Sequence, residues 1–579
     1  MYSRLFLGFM LGCLMFGGAV FAQNGSQTPT PTPFAKDDKG VLPEKIEGVP
    51  SIAPDFESQD RSLPDLSRVG VDIADQRTMT VRDAITMALE NNRDIEVTRK
   101  NVRIAEYDLQ AARGVHEPRI IGQSFYERAT TPNVSVFSTN RDTTRGSFVN
   151  TATIQGYIPS FGTVLSANID NQRATSNDPL SILSPQHNAA IGFNITQPLF
   201  RGRGFDQGRR TIEIAKKNLS LTDSQFRQRS IDVITNVQRA YWDLTFALRN
   251  LQVQRDGVRD AKEQLEHNRR LVEEGQLAPI DIVAAETQVA NFEQAVYDAL
   301  DVVTQAENAL KNLVSPNRHD AIWAKAILPV DPVDMKVPSV FLDAAVETAM
   351  KNRPELEQVE AQRGINEIDK KYYRNQKQPQ IDLVAGYSSS GIGGSLNPDF
   401  SAPFPLPCEQ DPTSPACQQQ QANLAALTGN PYSGVFANRY PAFRFGVQIN
   451  LPLFGDKTSK AQYARTLVEG ERLDVQREQL EQGIQVQVRN AVQSLRSAEA
   501  RLRAASIARE NSERQYESEQ RKLDNGQSDI YRVLERQTAL TAARSAELRA
   551  QTEMNKAIAE LQRATGNALD ENGVVTRPN

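Results

Sequence analysis

The sequence predicts a mainly helical exported protein with a membrane-embedded β part, built from two copies of one plan: helix, strands, helix, turn, helix. Three observations predict it. The same order of motifs occurs twice; each copy holds a proline-free stretch long enough for a helix of unusual length; and strand-like runs between glycines alternate apolar with polar residues.

Composition sets the limits. At 579 residues and 64.3 kDa the chain is too long for one simple domain. Its 66 basic and 71 acidic side chains leave a net charge of −5, which argues against wholesale nucleic-acid binding. Mean hydropathy is −0.49, and past the N-terminus no run of about 18 apolar residues occurs, so helical membrane spans are excluded. Strands that cross a membrane alternate and escape that criterion. Three cysteines and four scattered histidines leave little for a metal cluster, and no metal or other cofactor is expected.

Residues 1–22 read as a signal peptide: Arg4 is the positive start, Leu5 to Phe21 the apolar core, and Val20-Phe21-Ala22 the cleavage site. Gly12-Cys13 is the alternative, a lipoprotein signal. Residues 23–77, with Thr28-Pro29-Thr30-Pro31-Thr32-Pro33, have a composition that buries no core and read as an extended tether. The first copy spans 78–316, a linker 317–338, the second copy 339–566 and a tail 567–579.

The copies open alike, with Asp83-Ala84-Ile85-Thr86-Met87-Ala88-Leu89-Glu90-Asn91-Asn92-Arg93 and Asp343-Ala344-Ala345-Val346-Glu347-Thr348-Ala349-Met350-Lys351-Asn352-Arg353. Each crosses a Gly/Ser/Thr-rich region and leaves it through a proline, in Gln197-Pro198-Leu199-Phe200 and Leu451-Pro452-Leu453-Phe454, which marks a strand end. A long helix follows and breaks at Gly275-Gln276 or Gly526-Gln527, where glycine permits a tight reversal.

No proline falls between Pro198 and Pro279, or between Pro452 and Pro578. Ile234, Val237, Tyr241, Leu244, Leu248, Leu251 and Val258 form a seam in the first long helix; Ile484, Val488, Ala491, Leu495, Ala498, Leu502 and Ala505 form one in the second. Residues 205–274 as helix extend on the order of 100 Å, at about 1.5 Å per residue. The returning helix, 280–313, and the opening helix, 80–113, are each roughly half as long, so a tall cylinder of paired helices is expected.

Strands are expected in 152–169 and 189–200, and again in 381–387 and 443–453. Phe443, Phe445, Val447, Ile449 and Leu451 fall on one face, Arg444, Gly446, Gln448 and Asn450 on the other. A half-buried strand of a soluble sandwich shows the same pattern. Too few strands are present to close a barrel, and an open edge in lipid is forbidden, so the membrane reading demands several chains in one wall.

In this duplicated order, its two exit motifs and its two glycine-containing tips, the chain resembles the TolC family of outer-membrane efflux proteins over residues 80–566. The resemblance implies a homotrimer in the outer membrane, with a shared transmembrane β-barrel and a large periplasmic α-barrel constricted at its lower tip. It also implies no catalytic residue, and as partners outer-membrane lipid, a periplasmic adaptor and an inner-membrane pump or secretion ATPase. Gly275, Gln276, Gly526 and Gln527 match the adaptor-contacting, gate-forming hairpins. Asp281 stands where the first-repeat tip is acidic, and Arg532 and Glu535 correspond to two acidic pore-ring positions, so Arg532 departs from the pattern. Asp529 is placed to compensate; Arg532 pairing with Asp281 across hairpins as a latch, and four merely solvated charges, are the other readings.

Two further departures stand out. Tyr157-Ile158-Pro159-Ser160-Phe161-Gly162-Thr163 predicts an extra hairpin in the first copy. A Pro/Gln-rich insert at 396–440 in the second copy is expected as an outer-surface loop, closed by a Cys408–Cys417 disulfide in an oxidising compartment. Against the channel stands a soluble periplasmic coiled-coil scaffold or adaptor, which accounts for export and seams but not for the duplicated strand blocks.

Overall fold

The computed structural model describes residues 66–134, 140–332, 338–452 and 456–574. The expected signal peptide with Cys13, most of the tether, Leu453 and Phe454 of the second exit motif and the end of the tail lie outside the described residues.

In chain order β1 (Asp72–Met79) leads into the first copy, which comprises α1 (Val81–Asn91), α2 (Arg93–Arg113), β2 (Arg119–Pro132), β3 (Asp142–Ile158), β4 (Thr163–Ser176), β5 (Leu183–Pro198), α3 (Gln207–Glu273) and α4 (Ile280–Val314). The inter-repeat linker holds β6 (Lys325–Pro329); the second copy comprises α5 (Leu342–Asn352), α6 (Pro354–Gln376), β7 (Gln380–Leu396), α7 (Pro407–Gln410), α8 (Pro415–Leu427), α9 (Pro431–Phe436), β8 (Tyr440–Asn450), α10 (Lys457–Asp524) and α11 (Ile530–Thr565), and α12 (Ala568–Glu571) lies in the tail.

The long helices α3 and α10 run 67 and 68 residues, about 100 Å each at ~1.5 Å per residue. Each starts under an aspartate, Asp206 and Asp456, whose side chain accepts an N–H of the first turn. They pack on α4 and α11, and the seams are buried: Ile234, Val237, Tyr241 and Leu244 in one repeat, Ile484, Val488, Ala491 and Leu495 in the other. At the constant sequence offset that lays Gly275 on Gly526, Val237 falls on Val488, Leu244 on Leu495, Ala247 on Ala498 and Leu251 on Leu502, all buried. The duplication is therefore one of packing as well as of motif order.

The two repeats keep separate apolar clusters, and polar contacts join them: Arg239 to Glu560, Lys556 Nζ to Asp243 at 2.7 Å, and Gln254 to Ser545 at 3.2 Å.

The opening helices are each two helices. Asn92 ends α1 and caps α2, its side chain accepting from Asp94 and Ile95 N–H; Arg353 and Pro354 make the same break between α5 and α6, with proline at the first helical position. Residues 72–77 are not tether. They lie in β1, which pairs in parallel with β6, so the stretch before the first repeat is stitched to the inter-repeat linker. Beneath that sheet a buried charge cluster holds Glu307, which accepts from Arg68 at 2.8 Å and the Ile327 N–H at 2.7 Å, with Lys311 Nζ 3.5 Å away. Burial holds Lys311 below the usual lysine range. Nearby the buried Tyr241 hydroxyl lies 2.7 Å from the Asp331 carboxylate, and burial first pushes its proton affinity up, so it stays a neutral donor.

Six strands form one antiparallel sheet in the order β2-β3-β4-β5-β7-β8. The turn at Pro159–Gly162 joins β3 to β4, so the first copy contributes four strands and the second two. β2 went unread in the sequence. The insert is not a bare loop but three short helices, with Cys408 and Cys417 bonded and Cys417 buried. Its last helix, α9, folds onto β7: Ser389 donates to the Val435 carbonyl at 2.7 Å, and Gly391 leaves the space the Pro431 carbonyl occupies.

Candidate functional site

Two parts of the molecule answer to the sequence reading, the sheet at one end of the long helices and the hairpin tips at the other.

Across the sheet, directly opposed residues share a face, so the register sorts the side chains. One face carries Ile120 and Tyr126 of β2, Phe148 and Ile154 of β3, Leu165 and Ile169 of β4, Ile191, Phe193 and Ile195 of β5, Leu383 and Tyr387 of β7, and Phe443, Phe445, Val447 and Ile449 of β8. The other carries Thr151 and Thr153, Ser166, Asn168, Asp170 and Gln172, Gln186, Asn188 and Asn194, then Asp382, Arg444, Gln448 and Asn450. The apolar face is exposed: Phe443 is 80%, Phe445 78% and Ile120 76% accessible. A face of this kind, left uncovered within the chain, suits contact with lipid or with another protein. Along the polar face hydrogen bonds link Asn168 to Asp170 and Asn188 to Gln172. Among the described residues no helix is long and apolar enough to cross a membrane.

At the opposite end, both tips close by the same backbone motif. Gly275 (φ 75°) and Gly526 (φ 67°) adopt the left-handed conformation that only glycine takes cheaply. The next residue donates back over the helix end, Gln276 N–H to the Leu271 carbonyl at 2.8 Å and Gln527 N–H to that of Lys522 at 2.8 Å. Under the second tip Leu523, Ile530, Val533 and Leu534 form a small core with Tyr516, whose hydroxyl is kept neutral by burial.

The tip charges are arranged differently in the two repeats. Asp281 accepts the Ala278 N–H at 3.1 Å and so closes its own turn. Asp529 caps α11 through the Arg532 N–H at 2.9 Å, and its other oxygen lies 3.3 Å from Arg532 Nε. Within the chain Arg532 is thus paired with Asp529, and both are exposed; Glu535, one turn on, is exposed too. By the offset that superposes the repeats, Arg532 occupies the position of Asp281, a charge reversal at equivalent places. Gln288 donates to Thr538 at 2.8 Å and ties the two hairpins together behind the tips. Among the described residues no cluster of metal-ligating side chains occurs.

This architecture is shared with solved outer-membrane channels. The chain is similar to the Campylobacter jejuni CmeC outer membrane channel (TM-score 0.57, 15% identity, 90% of this chain and 95% of that one). It is similar also to the open state of the Neisseria gonorrhoeae MtrE outer membrane channel (TM-score 0.55, 18% identity, 84% and 89%). CusC, whose structures describe transmembrane channel formation, aligns with TM-score 0.59 at 15% identity over 84% of this chain and 92% of that one. No curated protein sequence matches. The family model for outer membrane efflux proteins matches residues 151–315 and 345–567, one block in each repeat. The chain belongs to the outer membrane efflux protein family, proteins of the outer membrane with a large periplasmic portion.

Proposed function

We propose that the protein is the passive exit duct of a tripartite efflux or type I secretion system. Three copies would pool their strands in one outer-membrane barrel and their helices in a periplasmic tube. The observation that carries this reading is the exposed apolar face of an open-edged sheet mounted on helices about 100 Å long. A soluble scaffold has no use for a row of exposed apolar side chains, Phe443, Phe445, Val447 and Ile449, on an edge strand.

The duct performs no chemistry; a periplasmic adaptor would dock on the hairpins and an inner-membrane pump or secretion ATPase would supply the energy. The tips at Gly275, Gln276, Gly526 and Gln527 are read as the adaptor contact and the gate. Asp281, Asp529, Arg532 and Glu535 are read as the charges that ring the opening. Because Asp529 neutralises Arg532 locally, the ring is less acidic than one built of carboxylates alone, and weak cation preference is expected.

Planar-bilayer recording of the protein extracted from outer membranes tests this. Discrete conductance is expected, rising in Gly526→Pro, which destroys the turn, and becoming more cation-selective in Arg532→Asp. Protein that salt washes from membranes and that never conducts would refute the duct.

A further inference from the structure

The two edges of the six-stranded sheet determine how copies can join, and this inference rests on the trimeric reading above. Among the described residues, neither β2 nor β8 has a partner on its outer side. β2 leaves the helical end of the molecule and β8 returns to it, so β8 of one copy meets β2 of the next in antiparallel sense. The apolar belt takes even-numbered positions on β2 and odd-numbered ones on β8, so only registers that oppose even to odd keep the belt on one face.

Geometry narrows the choice. Straight across the sheet from Arg119, directly opposed residues run through Gln155, Ser166, Asn194 and Gly386 to Arg444. Asn450, at the helical end of β8, lies six residues below Arg444. Levelling Asn450 with Arg119 of the next copy, the two strand ends nearest the helices, advances the register by six residues over six strands. That is one residue of shear per strand, the ratio of a barrel of eight strands and shear 8, whose strands tilt by about 36°. Membrane barrels tilt by roughly 35–45°, so the edges close at an ordinary angle.

We propose that β8 of one copy zips to β2 of its neighbour with Ile449 opposite Ile120, Val447 opposite Gly122 and Phe443 opposite Tyr126, so that three copies of six strands close an 18-stranded barrel. This register keeps the apolar belt on one face across the junction, where Gly122 and Ser124 are the small residues opposite Val447 and Phe445, and satisfies both bare edges. With strands about 4.8 Å apart and tilted about 36°, the wall is about 34 Å across between backbones, wide enough for a water-filled lumen.

The test is oxidative cross-linking of the full chain in isolated outer membranes. Val447→Cys is combined in turn with Gly122→Cys, Ile120→Cys and Ser124→Cys, and Phe443→Cys with Tyr126→Cys serves as an independent pair on the same register. Native mass of each variant establishes that it assembles. The 447/122 and 443/126 pairs are expected to give a reducible ladder ending at three chains, at least tenfold stronger than 447/120 or 447/124. A ladder strongest at either neighbour overturns the register. No ladder from any pair in protein of trimeric mass overturns the edge pairing and leaves the trimer intact, whereas a mass of one chain removes the trimeric reading as well.

Discussion

The two repeats agree in their helices and part company in their strands. Val237 and Val488, Leu244 and Leu495, and Gly275 and Gly526 hold equivalent places, so helix length, seam and tip are the same twice over. The first repeat nevertheless brings four strands where the second brings two, and the second carries the disulfide-closed insert. A seam of interlocked side chains tolerates no change of length, because one inserted residue rotates every later one by about 100° off the stripe. A barrel wall accepts strands in pairs, since a hairpin leaves the direction and face of its neighbours unaltered.

The sharpest way to break this comparison is to make the repeats equal. Deleting residues 133–182, which hold β3 and β4, leaves β2 antiparallel to β5 and four strands per chain. Assembly is expected to survive, with the barrel narrowed by about a third at unchanged tilt, as measured by averaged electron images. Collapse of assembly would show that the extra hairpin is structural rather than inserted.

Next in size are the seams. Leu244→Ala and Ile484→Ala each empty a fully buried site and should cost about 2–5 kcal/mol. Both tryptophans, Trp242 and Trp323, lie in or beside the first repeat, and their fluorescence reports its melting. Since the repeats have separate apolar clusters joined by polar contacts, Leu244→Ala should lower that midpoint more than Ile484→Ala. Equal shifts would mean that the repeats melt as one unit.

Smaller still is Tyr241→Phe. The equivalent place in the second repeat is Val492, so the hydroxyl held by Asp331 belongs to the first repeat alone. Its loss leaves the half-buried Asp331 carboxylate with one donor fewer, and the same fluorescence midpoint should fall by an amount worth about 1 kcal/mol. The smallest effect is expected from Cys408→Ser with Cys417→Ser: unchanged assembly, but faster protease cleavage of the insert on intact cells, because a bond closing so short a loop restrains only its own segment.

The helices were legible because their signals are local: absence of proline, a seam of period 3.5, a glycine at each reversal. The tips were legible to the residue, and Gly275 and Gly526 stand where the Gly-Gln pairs put them. β2 was not, since Ile121 and Phe125 fall on its polar face and Ser124 and Arg128 on its apolar one, which breaks the alternation, and the strand is defined by pairing with β3. β1 looked like tether for the same reason, a polar run made into strand by β6 far along the chain. The breaks at Asn92 and at Arg353 did carry a signal, a capping asparagine and a Pro354 at the first helical position, that the amphipathic pattern overrode. Pairing of Arg532 with Asp529 follows from the cap of α11, a spacing of three at a helix start.

The most direct test of the account is to count strands around the axis of the complex extracted from outer membranes, by electron cryomicroscopy. Three copies around one lumen walled by 18 strands, with β8 of each beside β2 of the next, is the predicted result. Separate chains, or a ring in which the strands stand apart and enclose no lumen, would contradict it.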